Sequence, residues 1–400
     1  MALLKKLIKF EEALNTLLNL AKPINEVEEL PIIKAYQRVL AEDIVSPFDI
    51  PFYPRASMDG YAVKASDTFF ASPRNNVVLK YKGRLRAGEV KNLRVNKGEC
   101  VAVATGAPLP PGSDAVVMLE FTELEGRRVK IKKPVYPGES VSLPGEDIEK
   151  GEKVLRKGEM LTASKIGVLA ALGKTKVKVY RKPRVKILPT GEEIVPPGQP
   201  LKKGKIYDIN SYTIFTLIIE SGGIPFLSPS LPDKKEIIEG SLKETQNVDV
   251  LIFIGGTSVG EKDLIPEVLS KHGKIYFHGV QTKPGKPFLC GEIEEKIILG
   301  LPGYPASCLI IGYVFLKPFL KKMAHLPYEE KTVWVKMGEN VYSPLGRHQF
   351  LTVKIEGDKA YPVFKESGDI TSISQAQGIV HVPENQEIIE KGEKVKVYLF

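Results

Sequence analysis

The chain's chemistry-bearing residues gather at glycine turns. Val250-Leu-Ile-Phe-Ile254 runs into Gly255-Gly256-Thr257-Ser258-Val259-Gly260, then Glu261-Lys262-Asp263. Glycines without a Cβ let backbone N–H groups converge on one oxygen, and Thr257 and Ser258 add hydroxyl donors, so this turn suits a phosphate or another oxyanion. It has neither the Gly-Lys-Ser/Thr ending of a Walker loop nor the G-x-G-x-x-G spacing of a dinucleotide fold. On its own it could equally be a structural turn. Lys283-Pro284-Gly285-Lys286-Pro287 places two ammonium groups three residues apart, with a proline after each. Prolines restrict the backbone, as a preorganised anion grip requires. Leu301-Pro302-Gly303-Tyr304-Pro305 opens a helix whose amino end is a second candidate anion site.

Carboxylates form the complementary set. Asp59 in Ser57-Met58-Asp59-Gly60, Asp147 in Gly145-Glu146-Asp147-Ile148, Glu192 and Glu193 after Thr190-Gly191, and Asp263 all sit in or near glycine turns. For any one of them, ordinary turn chemistry is the plainer reading. Several acids beside several oxyanion cradles point instead to a hard divalent cation bridging phosphates, with magnesium the best fit. The five histidines show no ligand spacing, so a His-built zinc site is not expected. Cys100, Cys290 and Cys308 are odd in number and lack metal-ligand spacing, which argues against a disulfide framework and for a reducing, cytoplasmic setting.

These turns need elements to hold them. From about Ile44 to Lys182, Pro and Gly separate short β-branched runs, a pattern of strand and loop. Lys-Gly-Glu recurs at Lys97, Lys150, Lys157 and Lys391, and at Lys97 and Lys391 it leads into apolar segments, as a hairpin tip would. Near Pro183 the pattern changes. Strands are predicted over Val185–Leu188, Ile224–Leu227, Val248–Ile254 and Ile275–Val280, with helices over Asn210–Ser221, Lys234–Thr245, Ile265–Lys271 and Ala306–Leu320 and a hairpin through Gly291. Such alternation implies a parallel sheet with helices on both faces and ligands at the carboxyl ends of its strands. Roughly the last 70 residues return to strands, with Thr332–Lys336, Phe350–Ile355 and Ile379–Pro383 as candidates.

Length and composition bound the rest. The 400 residues, 43% apolar and 26% charged, are enough for two or three domains and exclude disorder and collagen. No apolar run reaches the ~18 residues of a membrane span. Met1–Leu20 reads as an amphipathic helix, since its lysines and glutamates break any signal-peptide core. The net charge of +9 favours anionic partners, but Lys and Glu are interspersed and no finger, RNP motif or basic run occurs. A small anionic substrate is expected, with no nucleic-acid partner.

Taken in order, Ser57-Met-Asp-Gly-Tyr-Ala62, Thr105-Gly-Ala-Pro108, Gly145-Glu-Asp-Ile148, Thr190-Gly-Glu-Glu193, Gly204-Lys-Ile-Tyr-Asp-Ile-Asn210, the Gly255 turn, Lys283–Pro287 and Gly300–Pro305 resemble the MoeA-type molybdopterin molybdenumtransferases, the family that includes the carboxyl-terminal domain of gephyrin. The resemblance spans almost the whole chain. It implies insertion of molybdate into the dithiolene of adenylylated molybdopterin, with magnesium-dependent release of AMP; tungstate, a tetrahedral dianion of nearly equal size, is the alternative oxyanion. By resemblance, Asp59, Asp147, Glu193, Asp233 and Asp263 match the family's active-site acids, with Lys283 and Lys286 its catalytic lysines and Glu193 and Asp263 its metal ligands. Thr105, Asp233, Gly255, Gly256, Thr257, Ser258, Pro302 and Gly303 map to substrate contacts, and Lys286, Pro287, Ser307, Arg347 and Ser372 to molybdate contacts.

The same resemblance implies a multidomain α/β plus β architecture. Its parts would be a composite amino-terminal and dimerisation domain (1–50 and 145–182), an inserted β-rich domain (51–144), a three-layer molybdopterin-binding domain on a parallel sheet (183–325) and a carboxyl-terminal β-barrel (326–400). It also implies a homodimer in which Asp59 and the Thr105 turn of one chain face the Gly255 cradle of the other, and a molybdopterin adenylyltransferase as a partner. A gephyrin-like scaffold or a cofactor-storage protein is the rival reading. Glu192 stands where the family usually has Asp, Thr257 where Val or Ile is frequent, and Thr371 where Ser often precedes Ser372. Tyr304 replaces a typical Asn and cannot cap a helix in the same way, which bears on substrate selectivity.

Overall fold

The computed structural model describes residues 7–243, 246–256, 264–363 and 370–400, with the side chains of residues 243, 370 and 372 left aside. The chain divides into two compact units, one of residues 30–36 and 40–177, the other of residues 1–29, 37–39 and 178–400.

The first unit is built on a six-stranded sheet in the order Ala115–Met118, Gly60–Val63, Glu99–Val103, Val77–Leu85, Arg128–Ile131, Thr122–Glu125. Alternation along its strands buries both faces. Tyr61, Val63, Leu79, Cys100 and Val117 fill one cluster, and Ala62, Val101, Val103 and Val116 fill another. Gly60 opens the second strand, where an added Cβ would lie 2.1 Å from the Val117 carbonyl oxygen. Close approach within the sheet, and not turn geometry, therefore explains the glycine after Asp59.

The Lys-Gly-Glu tripeptides share one device. In Asn96–Glu99, Glu149–Glu152, Arg156–Glu159 and Glu390–Glu393 the glycine has positive φ, the fourth N–H donates to the first carbonyl, and the Glu carboxylate accepts from the first N–H. Leu143–Glu146 repeats it with Pro144 in second place. They are tight turns but not hairpin tips. Glu99–Val103 pairs in parallel with Val77–Leu85, and Lys394–Leu399 pairs with strands other than the one before the turn.

The second unit holds the strand–helix alternation. Its sheet runs Ile224–Leu227, Arg184–Pro189, Val250–Ile254, Lys296–Leu301, Leu289–Ile293, Lys274–His278. The first four strands are parallel, whereas Leu289–Ile293 is antiparallel to both neighbours, so the sheet is mixed and not wholly parallel. The hairpin closes at Glu294 and Glu295, both at positive φ, and Gly291 lies inside a strand instead of at the turn. Every residue of Val250–Ile254 is buried, as a central strand covered on both faces requires. Val185, Ile187, Ile252 and Leu299 face the helices Asn210–Glu220 and Pro305–Ile311, while Leu188, Leu251, Phe253 and Ile298 face Lys235–Lys243 and Leu264–His272, giving three layers. Past Pro305–Ile311 the chain continues through a π-helical stretch, Gly312–Leu316, into Lys317–Met323. The π segment follows close packing, since a Cβ on Gly312 would meet Leu217 at 2.6 Å.

A five-stranded barrel completes this unit. His348–Glu356 pairs with Lys359–Pro362 and Gly378–Val382, the latter with Lys394–Leu399, that with Thr332–Met337, and Thr332–Met337 with Lys359–Pro362, closing the ring. Val335, Met337, Leu351, Val353, Val380 and Val397 fill its interior. Closure removes the unpaired edges that a small open sheet would expose.

Candidate functional site

The parallel strands end in register. Pro189 pairs with Ile254, and Ile254 with Leu301, so Thr190-Gly191, Gly255-Gly256 and Pro302-Gly303 emerge side by side at the carboxyl edge of the sheet. Thr190 N donates to Ile254 O at 2.9 Å, and Gly255 N to Leu301 O at 3.1 Å. Gly255 (φ 88°) and Gly256 (φ 60°) are in the left-handed region, and a Cβ on Gly255 would lie 3.1 Å from Thr190 O, so both conformation and space demand glycine there. A Cβ on Gly303 would sit 3.7 Å from the Gly255 Cα. The two backbone turns are thus nearly in contact, as a cradle made of N–H groups needs. Thr257, Ser258 and Asp263 lie outside the described residues.

Asn210, the last residue of the Gly204–Asn210 motif, begins helix Asn210–Glu220. Its Nδ2 donates to Gly303 O at 2.7 Å and fixes the Pro302–Gly303 turn, while its Oδ1 is buried with no hydrogen-bond partner. Replacing Asn210 by Ala removes this bond and leaves the Gly303 carbonyl, in an exposed turn, to water. We expect a loss of about 0.5–1.5 kcal/mol, read as a lower thermal unfolding midpoint, together with weaker anion binding at the turn. An unchanged midpoint would assign Asn210 no part in holding it. Tyr304, the residue before Pro305, makes no side-chain cap and is largely exposed.

Glu193 and Asp233 stand at the same edge of the sheet. A Cβ on Gly191 would lie 2.7 Å from both Glu193 carboxylate oxygens, so this acid folds back over the turn after Pro189. Leu231 bridges Thr190, and Asp233 follows two residues later, exposed ahead of helix Lys235–Lys243.

The lysine turn reaches the barrel. Thr282–Lys283 pairs in parallel with His348–Gln349 at the start of a barrel strand, and His348 N donates to Gln281 O at 2.8 Å. A Cβ on Gly285 would lie 2.3 Å from Ile311 Cδ1, so the turn sits directly on helix Pro305–Ile311. Between them opens a cavity of about 270 Å³ lined by Lys283, Lys286, Pro287, Ser307 and Arg347. No carboxylate is among its described lining residues. Three cations from two distant parts of the chain converge on this cavity, a lining suited to an anion. Ser372 lies in helix Ile370–Gln375, next to Ile373, which also lines the cavity.

Asp59, Thr105 and Asp147 belong to the other unit. Asp59 Oδ1 accepts from Thr105 N at 2.6 Å and from Thr105 Oγ1 at 2.8 Å. These two bonds, the backbone one foremost, hold the Asp59 carboxyl below the usual Asp range. A carboxyl whose folded pKa is depressed stabilises the fold above its unfolded pKa and loses that contribution as pH falls through the folded value. Thr105→Val removes one donor, so the Asp59 titration followed by NMR should move upward; an unmoved titration would remove the hydroxyl as a cause. Asp147 is exposed and its N–H donates to Ile50 O, while the neighbouring Glu146 carboxylate is held within its own turn.

Residues 8–173 match the family model of the MoeA N-terminal region (domains I and II), residues 186–322 a probable molybdopterin-binding domain, and residues 335–400 the MoeA C-terminal region (domain IV). A putative molybdopterin biosynthesis protein of Methanocaldococcus jannaschii is 36% identical over 94% of this chain and 92% of its own length. The chain belongs to the MoeA family. Among its MoeA relatives, the molybdopterin molybdenumtransferase of Bacillus subtilis is 31% identical, covering 98% of this chain and 94% of the relative. The crystal structure of a molybdopterin biosynthesis MoeA protein from Pyrococcus horikoshii superposes with a TM-score of 0.86 at 41% identity, covering 98% of this chain and 99% of that one. The MoeA assignment therefore covers both units, the lysine cavity and the barrel alike.

Other chemistry is less favoured by its surroundings. Cys100 and Cys290 are buried and free, and burial pushes their thiols up to about 12, far from a reactive thiolate. Among the described residues no group of three or more His, Cys, Asp or Glu side chains converges to hold a metal ion, and no helix is long and apolar enough to cross a membrane.

Proposed function

We infer that this MoeA-family protein is a molybdopterin molybdenumtransferase, inserting molybdate into the dithiolene of adenylylated molybdopterin and releasing AMP. One observation carries the reading: Lys283, Lys286 and Arg347 converge with Ser307 on a cavity with no carboxylate among its described lining residues. Molybdate is a tetrahedral dianion, and charge-assisted donors hold such an ion strongly. At the sheet edge that begins the helix lining the cavity, Gly256 and Gly303 carry the backbone N–H groups for the substrate's phosphates, since Pro302 has none and Gly255 N is bonded to Leu301 O. The names of curated relatives in the family support the same assignment.

Glu193 is an exposed hard-oxygen donor at that edge, and with Asp263 it would hold magnesium, which takes most of its remaining ligands from water and phosphate. Bound there, the ion would offset charge on the diphosphate. The protein works in the cytoplasm as a homodimer of four-domain chains divided at residues 50, 144, 182 and 325. Asp59, Thr105 and Asp147 act on the partner's substrate, which a molybdopterin adenylyltransferase supplies.

Incubation with adenylylated molybdopterin, magnesium and molybdate should release AMP in a molybdate-dependent single turnover. Retention of the intact adenylate by folded protein would leave storage or scaffolding as the better account.

A further inference from the structure

We infer that the amino-terminal segment of residues 8–11 braces the lysine cavity from outside, with Phe10 the positioning residue that holds the lysine turn against Arg347. The inference rests on the reading of that cavity as the molybdate site and deepens it.

No residue of this segment is among the described lining of the cavity. It reaches the lining through backbone bonds and ring contacts instead. Ile8 bridges Val280 in parallel, its N–H donating to Gly279 O at 3.3 Å and its carbonyl accepting from Gln281 N at 2.8 Å. Gln281 O in turn accepts from His348 N at 2.8 Å, and Val280 N donates to Lys286 O at 2.9 Å, closing the base of the lysine turn. One run of hydrogen bonds thus joins Ile8, the turn that carries Lys283 and Lys286, and the barrel strand that begins beside Arg347.

Phe10 fixes the barrel end of that run. It is 7% exposed, and its ring centroid lies 4.5 Å from that of His348, 5.2 Å from Phe350, 5.5 Å from Phe315 and 5.7 Å from His381. Phe350 both meets Phe10 and lines the cavity. His348, the residue after Arg347, has little else to hold its ring: Nε2 is buried without a hydrogen-bond partner, and Nδ1 lies 3.8 Å from the carboxylate of the exposed Glu11. Packing on Phe10 and the neighbouring rings therefore sets the ring, and with it the backbone next to Arg347. The exposed Lys9–Glu384 pair at 2.5 Å adds little, as surface ion pairs do. The helix that starts at Phe10 buries Ala13 and Leu17 completely, so the brace has a fixed seat on the core. A ligand held by separate chain segments binds better when their spacing is set before it arrives.

The test compares full-length Phe10→Leu with Leu17→Ala, which removes buried carbon from the same helix about two turns further on. In calorimetric titration with molybdate, Phe10→Leu should bind about tenfold more weakly than wild type, the low end for residues that orient ligand-holding groups. Leu17→Ala should stay close to wild type. Amide exchange followed by mass spectrometry should rise in Phe10→Leu over residues 280–286 and 347–350, and not in the central strand Val250–Ile254. Wild-type molybdate affinity in folded Phe10→Leu, or unchanged exchange at those residues, overturns the brace. An equal loss of affinity in Leu17→Ala overturns it too, by reducing it to general loosening of the helix. If the wild-type protein binds no molybdate, the transferase reading falls, and amide exchange alone decides whether Phe10 holds the turn. Should Phe10→Leu fail to fold, Phe10→Met, a more adaptable side chain that also lacks the ring, takes its place.

Discussion

Lys286→Ala should slow molybdate-dependent AMP release by about 10²–10³-fold, the range for removing one preorganised donor from a charge-stabilising site. Lys286 follows Gly285, whose φ of 98° and contact with Ile311 fix the turn. Its carbonyl accepts from Val280 N, a backbone bond that truncating the side chain leaves intact. The fold should therefore survive while the ammonium is lost from a cavity whose described lining holds no counter-charge. Single-turnover chromatography of AMP is the measurement, with thermal midpoint as the folding control. Release within fivefold of wild type would place the lysine outside the reaction.

Mixing two inactive variants should restore activity. Asp59→Asn keeps an oxygen to accept from Thr105, so its turn should persist while the charge goes. If Asp59 of one chain serves the lysine cavity of its partner, an Asp59→Asn chain paired with a Lys286→Ala chain has one intact site and one doubly damaged site. Random exchange puts half of the chains into such pairs, so about a quarter of wild-type sites recover in a two-fold symmetric dimer. Either variant alone stays near background. With exchange verified by two affinity tags, no recovery would mean that the acid and the lysine act within one chain, or that the protein is not a dimer.

Much of the architecture was legible because its causes are local. An apolar run such as Val250–Ile254 declares a buried strand, the 3.6-residue period declares Asn210–Glu220 a helix, and Gly-Gly or Pro-Gly after a strand declares a turn. These signals place Gly255, Pro302 and Lys283 beside strands and predict the carboxyl edge as the ligand side. The motif order likewise marks the family, since each short match is fixed within a few residues of chain.

What the sequence left open depends on residues far apart in the chain. Nothing local says that Leu289–Ile293 runs against its neighbours, because side-chain alternation is the same in either direction. Nor does it say that the barrel closes, or that Gly60 is required by a carbonyl 57 residues away at Val117. Only the family resemblance joins Arg347 to Lys286 in the sequence, since no local pattern links them. They meet because Thr282–Lys283 docks on the barrel strand at His348–Gln349 while Gly285 rests on Ile311. Part of the cavity's lining is invisible for the same reason: Ile310, Phe350 and Ile373 read as ordinary core residues, and only packing brings them to it. Residue type and short-range period thus determined the elements and the chemical groups available, and long-range packing decided which groups share a cavity, because charge and dispersion act over a few ångströms of space whatever the separation along the chain.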